Sequence, residues 1–476
     1  MAVVPTRETS VTQTLAAEIS GTPATAIPRG AWDAIKRMVI DQVGITYMGA
    51  AFTGKPLFTY AKDLGVRAEA VLIGDGTRVP AELAAGINSQ NCRTTDFEET
   101  GPGTHIGALV VHTALAVGQR AHASGRDVLA AATLGYVMGA RFQFARLSHW
   151  PRTSALQHRT VAAGIASRLL RHDATMTARA LSLAWEFPPR KHQTNDGYGT
   201  KRLSPFGSAS GIAMPLFNAR MGVQAATMAG FGFESAPDEI DQHLAEYDVP
   251  VLVDPVTPYH WVDGEMELKP WISPRHGQCG MQAIANLVRD HAIDPKTVTT
   301  VRLHLLNFPN PQWTDDPAPN TYLEAIYSTQ WAASMILQRI PAGPKWVAAE
   351  RLADPLSRHL AGLVSITVGS KDKSEEWAVG KDNESFAQAR AKKNVVDWYD
   401  VWGEAEIDTG GRTFRTRCTM RETYGSPTQP MTEAMVEEKF VECASLTHAP
   451  EQARRLLEAL RQIEDASDIN DVANLF

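Results

Sequence analysis

Helical periodicity runs almost unbroken through the first half of the chain. Between Ala31 and Met48 the apolar residues Trp32, Ile35, Met38, Val39 and Val43 recur at helical spacing. The segments Pro80 to Thr95, Ile106 to Ala121, Arg126 to Phe144, Thr160 to His172 and Ala174 to Glu186 follow, with short connections. They are rich in alanine, which lets helix backbones approach closely, and they lack the β-branched alternation of a parallel sheet. The chain up to Asp254 is therefore predicted to be all-helical. Beyond it, Pro255, Pro258, Pro270 and Pro274 break the pattern. Val298 to Leu306 and Leu363 to Val368 then read as strands. Ala405 to Asp408 and Arg412 to Cys418 flank Thr409-Gly410-Gly411, a hairpin turn in which glycine accepts the positive φ required. Helical pattern returns from Met431 to Ser445 and from Pro450 to Glu464, so the tail is expected to pack back on the first helical part. The polar segment Gly369 to Asn394 reads as an exposed connection within the α+β part.

A length of 476 residues allows two or three structural units. Hydrophobic residues at 44% and charged residues at 21% exclude an extensively disordered chain. The net charge of -7 counts against nucleic acid, whose phosphates need a basic face. Met1 to Ile19 lacks the continuous apolar core of a secretory signal. The weakly polar run Gly107 to Gly118 is well short of the roughly 20 residues that cross a bilayer, so no membrane association is expected. Cys92, Cys279, Cys418 and Cys443 have no CxxC spacing, which suits neither a disulfide scaffold nor zinc. A reduced, cytoplasmic protein is the simplest expectation.

Chemistry concentrates between Asn91 and His105. Asp96, Glu98 and Glu99, several hydroxyls and the His105 imidazole lie hard against the apolar run that starts at Ile106. Asp96 and Thr100 are four apart and would share a helix face, and Gly101-Pro102-Gly103 then breaks the chain before a new helix. Two readings stand on the residues alone: a solvated helix end capped by His105, or an acid, a hydroxyl and a base that converge. His158 begins a helical run and reads either as a cap or as a carboxylate ligand at a helix start. Lys201 follows the loop Asn195 to Thr200 and either reaches an anion or faces solvent. His276 lies with Lys269 and Arg275 in the proline-broken entry to the α+β part, while His112 reads as a core histidine. There is no HExxH, and Gly207-Ser208-Ala209-Ser210-Gly211 has alanine where a nucleophile elbow has serine. Gly101-Pro102-Gly103 has neither the glycines nor the preceding strand of a dinucleotide loop.

These residues resemble the MmgE/PrpD family over nearly the whole chain. Asp96-Phe97-Glu98-Glu99-Thr100 with Thr104-His105 looks like the family's Asp-Phe-Asp-Asp-Thr run and its downstream histidine. His158-Arg159-Thr160 is similar to its His-Pro-Thr turn, and Gly199-Thr200-Lys201-Arg202 to its lysine-bearing loop. Pro430-Met431-Thr432 with Glu438-Lys439-Phe440 is similar to its closing pattern. The resemblance implies a mainly α fold with an α+β lid: a large all-helical domain formed by both chain ends, here 1–268 and 426–476, and a smaller inserted α+β domain, 269–425. It also implies a homodimer, no metal or organic cofactor, and a small di- or tricarboxylate substrate that is dehydrated, decarboxylated or epimerised. Dehydration is the first expectation, and a catalytically lapsed polycarboxylate-binding protein is the alternative of another class.

The implied mechanism moves a proton beside a carboxylate. His105 is expected to be the general acid/base, oriented by Asp96, with Thr100 fixing substrate or water. Glu98 and Glu99 are expected to play structural parts. His158, Lys201, Lys269 and His276 are expected to bind carboxylates. The sequence departs from the family in five places, one being the spacing from Lys269 to His276, which is two residues longer. Ser89 stands for a glycine, Glu98-Glu99 for two aspartates, and Trp331 for a lid tyrosine; the Thr100 to His105 loop is one residue shorter. Trp331 is thereby a candidate substrate-binding residue.

Overall fold

The computed structural model describes residues 10–64, 67–101, 105–149, 154–186, 214–236, 238–244, 259–306, 314–369 and 398–476, with the backbone alone at 143–149, 154–157, 214, 243, 244 and 398. The first described helices are α1 Val11–Gly21, α2 Arg29–Thr53, α3 Lys55–Leu64, α4 Ala81–Arg93, α5 Gly107–Ala121 and α6 Gly125–His149. They continue as α7 Ser154–Leu169, α8 Ala174–Glu186, α9 Met214–Gly230, α10 Glu239–Leu244 and α11 His260–Asp263. The expectation of an all-helical first part needs one correction. A small antiparallel hairpin, β1 Ala70–Val71 with β2 Arg78–Val79, lies between α3 and α4. Strands of two residues are too short to alternate visibly in a sequence. The tract Gly207 to Ala213 lies outside the described residues.

Helix α2 is the axis of the helical part. It is buried on every side from Met38 to Ala50, as a helix must be when it has neighbours all round. Two glycines make this possible. A Cβ on Gly49 would lie 1.7 Å from the Asn91 carbonyl oxygen of α4. One on Gly44 would lie 2.9 Å from the Cα of Phe440, on the helix α17 described below.

The α+β part follows: α12 Gln278–Asp290, β3 Thr300–Leu305, α13 Tyr322–Tyr327, α14 Thr329–Leu337, α15 Ala349–Leu352, α16 Pro355–Gly362, β4 Val364–Val368, β5 Trp402–Asp408 and β6 Thr413–Thr419. The sheet order is β4-β3-β5-β6. Strands β3 and β4 are parallel, as a crossover through intervening helices allows, and the other pairs are antiparallel. Gly410 takes φ +74° in the β5–β6 turn, as its sequence predicts. Helix α12 lies close on the sheet, since a Cβ on Gly403 would stand 2.5 Å from the Gly280 nitrogen. Its amphipathic face and α13 to α16 were not anticipated from the sequence. The chain then returns as α17 Glu433–Ala444, α18 Pro450–Arg461 and α19 Asn470–Ala473. The fold is mainly α with a small α+β portion.

Among the described residues, two large hydrophobic cores result, beside a small cluster of Cys279, Leu306, Val401, Trp402 and Met420. One collects α1 to α9 together with the carboxy-terminal helices, from Val11 to Phe476. The other fills the space between the four-stranded sheet and its helices, and it also takes in Ile45, Met48, Cys92, Phe97 and Ala108. The described residues of the Asn91 to His105 stretch, 91–101 and 105, thus lie where the two cores meet. Gly49→Ala is expected to force α2 and α4 apart at the cost of about 1–3 kcal/mol, the usual range for overpacking. Urea denaturation checks it by a lower midpoint with an unchanged m-value.

Candidate active site

Helix α4 ends at Arg93, and the backbone then reverses at Asp96, whose φ of 46° is left-handed. Aspartate adopts this region more readily than most side chains, and the conformation is held from outside. Lys269 Nζ donates to the Asp96 carbonyl at 3.0 Å and to its Oδ1 at 2.9 Å. Phe97 is buried, and Lys439 of α17 places its ammonium 3.8 Å from the ring centre. The same ammonium donates to the carbonyls of Phe97 at 2.8 Å and Lys269 at 3.1 Å, and it pairs with Asp41 of α2 at 2.6 Å. One side chain from the carboxy-terminal helix therefore ties together α2, the motif loop and the segment leading to α12.

The two glutamates that follow are wholly buried and point to different partners. Glu98 Oε1 lies 2.9 Å from Arg93 Nη1, 2.8 Å from His105 Nδ1 and 3.9 Å from Lys269 Nζ. Glu99 accepts from the Tyr136 hydroxyl at 2.5 Å and from the Gly107 N–H at 2.7 Å. Thr100 pairs with Glu267 as an isolated antiparallel bridge, and its hydroxyl donates to Glu267 Oε2 at 3.0 Å. Arg275 grips the same carboxylate through Nε at 3.1 Å and Nη2 at 2.9 Å. From α13, the Tyr327 hydroxyl bonds Arg93 and the Tyr322 hydroxyl donates to the Thr94 carbonyl at 2.9 Å.

Burial and charge set the protonation states. Against the cost of burial, Arg93, Lys269 and His105 hold Glu98 well below the usual carboxylate range. Burial raises Asp96, with Lys269 opposing, and pushes Glu99 up to about 8. Burial, reinforced by the Arg93 charge, moves His105 below its ordinary 6.5, although contact with Glu98 pulls the other way. His276 is likewise pushed down to about 3 by burial, with Arg275, His105 and Lys269 adding to it. The His105 imidazole is thus neutral near pH 7. With Nδ1 facing an anionic oxygen, its proton belongs on Nδ1, which leaves Nε2 as the basic nitrogen. His105 retains 33% of its side-chain surface, whereas Glu98, Lys269 and Asp96 retain 0%, 2% and 3%. A ligand therefore meets the imidazole first.

The structure brings Asp96, Thr100, His105, Lys269 and His276 into one cluster, but it corrects the parts expected of several. Asp96 is not the partner of His105: its reversed backbone and the pull of Lys269 turn it away, and Glu98 takes that place. The Thr100 hydroxyl is engaged by Glu267, and the Lys269 ammonium by Asp96. Trp331, expected to bind substrate, is 1% exposed inside the second core, and its indole N–H donates to the Trp346 carbonyl at 2.7 Å. His158 is half-buried near the start of α7, followed by the buried Arg159 and Thr160, and Lys201 lies outside the described residues. His112 is the expected core histidine, 1% exposed, with Nε2 2.8 Å from the Thr46 hydroxyl. Sequence reasoning missed Arg93, Tyr136, Glu267 and Tyr327. Only Arg93 left a signal, being three residues before Asp96 at helical spacing.

Comparison with known proteins identifies the family. The MmgE/PrpD N-terminal domain matches residues 13–250 and the MmgE/PrpD C-terminal domain residues 271–465. The chain belongs to the MmgE/PrpD family. It is similar to the cis-aconitate decarboxylase of Homo sapiens, with 23% identity over 490 residues that cover 98% of this chain and 94% of that protein. Among the described residues, no helix is long and apolar enough to cross a membrane, and no group of three or more His, Cys, Asp or Glu is placed to hold a metal ion.

Lys439→Met leaves the buried Asp41 without its cation and is expected to cost about 3–5 kcal/mol, the range for breaking a buried pair from one side. Asp41→Asn combined with Lys439→Met should recover part of that loss. Denaturant unfolding of the two variants measures both effects.

Proposed function

We propose that the protein is a metal-independent lyase that acts on a small di- or tricarboxylate, with His105 as the general acid/base. The observation that carries this reading is the contact of His105 Nδ1 with the buried Glu98 carboxylate, which leaves a neutral, partly exposed imidazole with Nε2 free to exchange a proton. Family membership and similarity to a decarboxylase along the full chain support the reaction class. His105 removes a proton from a carbon beside a carboxylate, and Glu98 stabilises the imidazolium that forms. The nearby cations Arg93 and Lys269 offset the charge that develops on the substrate.

Dehydration is the first reading. Asp96 Oδ2 is buried and has no hydrogen-bond partner among the described residues. A substrate hydroxyl would satisfy it, and a carboxyl whose protonation burial favours is suited to protonating a leaving hydroxide. Decarboxylation is the second reading, favoured by the named relative. In that case carbon dioxide leaves first, and the carbanion takes a proton from the imidazolium form of His105, which is protonated from water beforehand and is stabilised by Glu98. The assembly proposed with either is a homodimer, which light scattering checks as twice the chain mass.

His105→Ala is expected to lower kcat by about 100-fold to 10,000-fold, the range for losing a general acid or base. Glu98→Gln should give a smaller loss. Because the active form is the neutral imidazole and protonation is disfavoured, the acid limb of kcat/KM should lie below pH 6.5. The reaction itself is read by NMR in D2O with EDTA present, offering citrate, 2-methylcitrate, cis-aconitate and iminodisuccinate in turn. Water loss, carbon dioxide loss and deuterium uptake with inversion are distinct outcomes. Near-wild-type turnover in His105→Ala, or activity that requires added metal, would overturn the proposal.

A further inference from the structure

Glu99 takes no part in the proton transfer proposed above, yet its buried carboxyl group joins three elements. One oxygen accepts from the N–H of Gly107 in the first turn of α5, and the other meets the Tyr136 hydroxyl of α6. His105 lies between the two ends of this bridge, six residues after Glu99 and two before Gly107. The space around the bridge is filled. A Cβ on Gly101 would stand 1.9 Å from the Tyr136 oxygen, and one on Gly107 would stand 2.3 Å from Glu99 Oε2 and 2.9 Å from Met38 Sδ. Tyr136 is 0% exposed, so its hydroxyl cannot exchange this partner for bulk water. The charged groups facing the pair are Glu98 in the same loop, with Arg275 and Glu267 from the segment before α12.

We propose that Glu99 and Tyr136 form a latch that positions His105, closing the chain on either side of the imidazole so that it stays within reach of Glu98. The latch gains catalytic meaning from the reading of His105 as general acid/base, but it is a property of the substrate-free protein and can be tested there. Its glycines are part of it, since any side chain at 101 or 107 would displace a latch atom. Because Glu99 is pushed up to about 8 by burial, it holds its proton at neutral pH. One oxygen accepts from the Gly107 N–H and the other shares its hydrogen bond with the Tyr136 hydroxyl. The folded chain therefore keeps a proton that the unfolded chain gives up near 4.5, and stability falls as pH rises from there to about 8.

The test compares Glu99→Gln, Glu99→Leu and Tyr136→Phe by the 15N–1H signals of the His105 ring without substrate, by kcat and KM, and by denaturation against pH. Glutamine keeps both an acceptor and a donor, so E99Q should leave the His105 signals in place and remove Glu99's share of the loss of stability between pH 4.5 and about 8, making the pH profile shallower than that of the wild type. Leucine keeps neither, so E99L should move the His105 signals and lower kcat by about 10-fold to 100-fold with little change in KM, as small misplacements of a reacting group do. Y136F should move the same signals less, in the same direction. A folded E99L with wild-type His105 signals and kcat overturns the latch. If E99L does not fold, Y136F signals that match the wild type, or E99Q signals that differ from it, overturn it instead. Full activity of His105→Ala would sink the functional reading alone, since the His105 signals report the latch without turnover.

Discussion

Four charges that water hardly reaches hold the centre of this molecule. Arg93, Asp96, Glu98 and Lys269 come from the end of α4, the loop after it, and the segment that leads into the sheet-bearing part. Each ion would cost several kcal/mol to bury alone, and the set is tolerable only because two cations and two carboxylates meet at contact distance. Such a network admits few alternative geometries, since moving one member strands another. Lys439 and Asp41 extend it to α17 and α2, so the carboxy-terminal helix is tied to the same point. The two hydrophobic cores could pack in several ways by area alone; the ion pairs at their seam select one.

The network also decides what His105 can do. Glu98 is kept ionised by its cations, so it supplies an acceptor for one imidazole nitrogen and directs the basic nitrogen elsewhere. Burial and the nearby Arg93 charge oppose protonation of the ring and keep it neutral. The same balance engages the cations of the site. Lys269 already holds Asp96, and Arg275 already holds Glu267, so any anion that entered would compete with a carboxylate of the protein for either.

Most of the architecture was legible in the chain. Segments whose apolar residues recur at helical spacing became helices, and Ala174 to Glu186 did so to the residue. The hairpin at Gly410 was legible because only a positive φ closes that turn and glycine supplies it. Elements whose signal is short or irregular were lost, such as the two-residue strands at Ala70 and Arg78, or helices α13 to α16, which are brief and broken by Pro344 and Pro355. At the candidate site, the composition of the Asn91 to His105 stretch and its match to a family motif named the right neighbourhood. They did not say which carboxylate faces the imidazole.

That last point separates the two kinds of information. By itself the sequence determined the helical class, the place of the four longer strands, and the concentration of acids, hydroxyls and a histidine beside an apolar run, because these depend on residues within a few positions of one another. Which acid serves His105, what Trp331 touches, and where Lys269 spends its charge were decided only in three dimensions. Asp96 is drawn away by a lysine 173 residues further on, and that lysine's carbonyl is held in turn by an ammonium from the carboxy-terminal helix. A buried charge takes the nearest opposite charge in space, whatever their separation along the chain, because desolvation leaves it no other solvent.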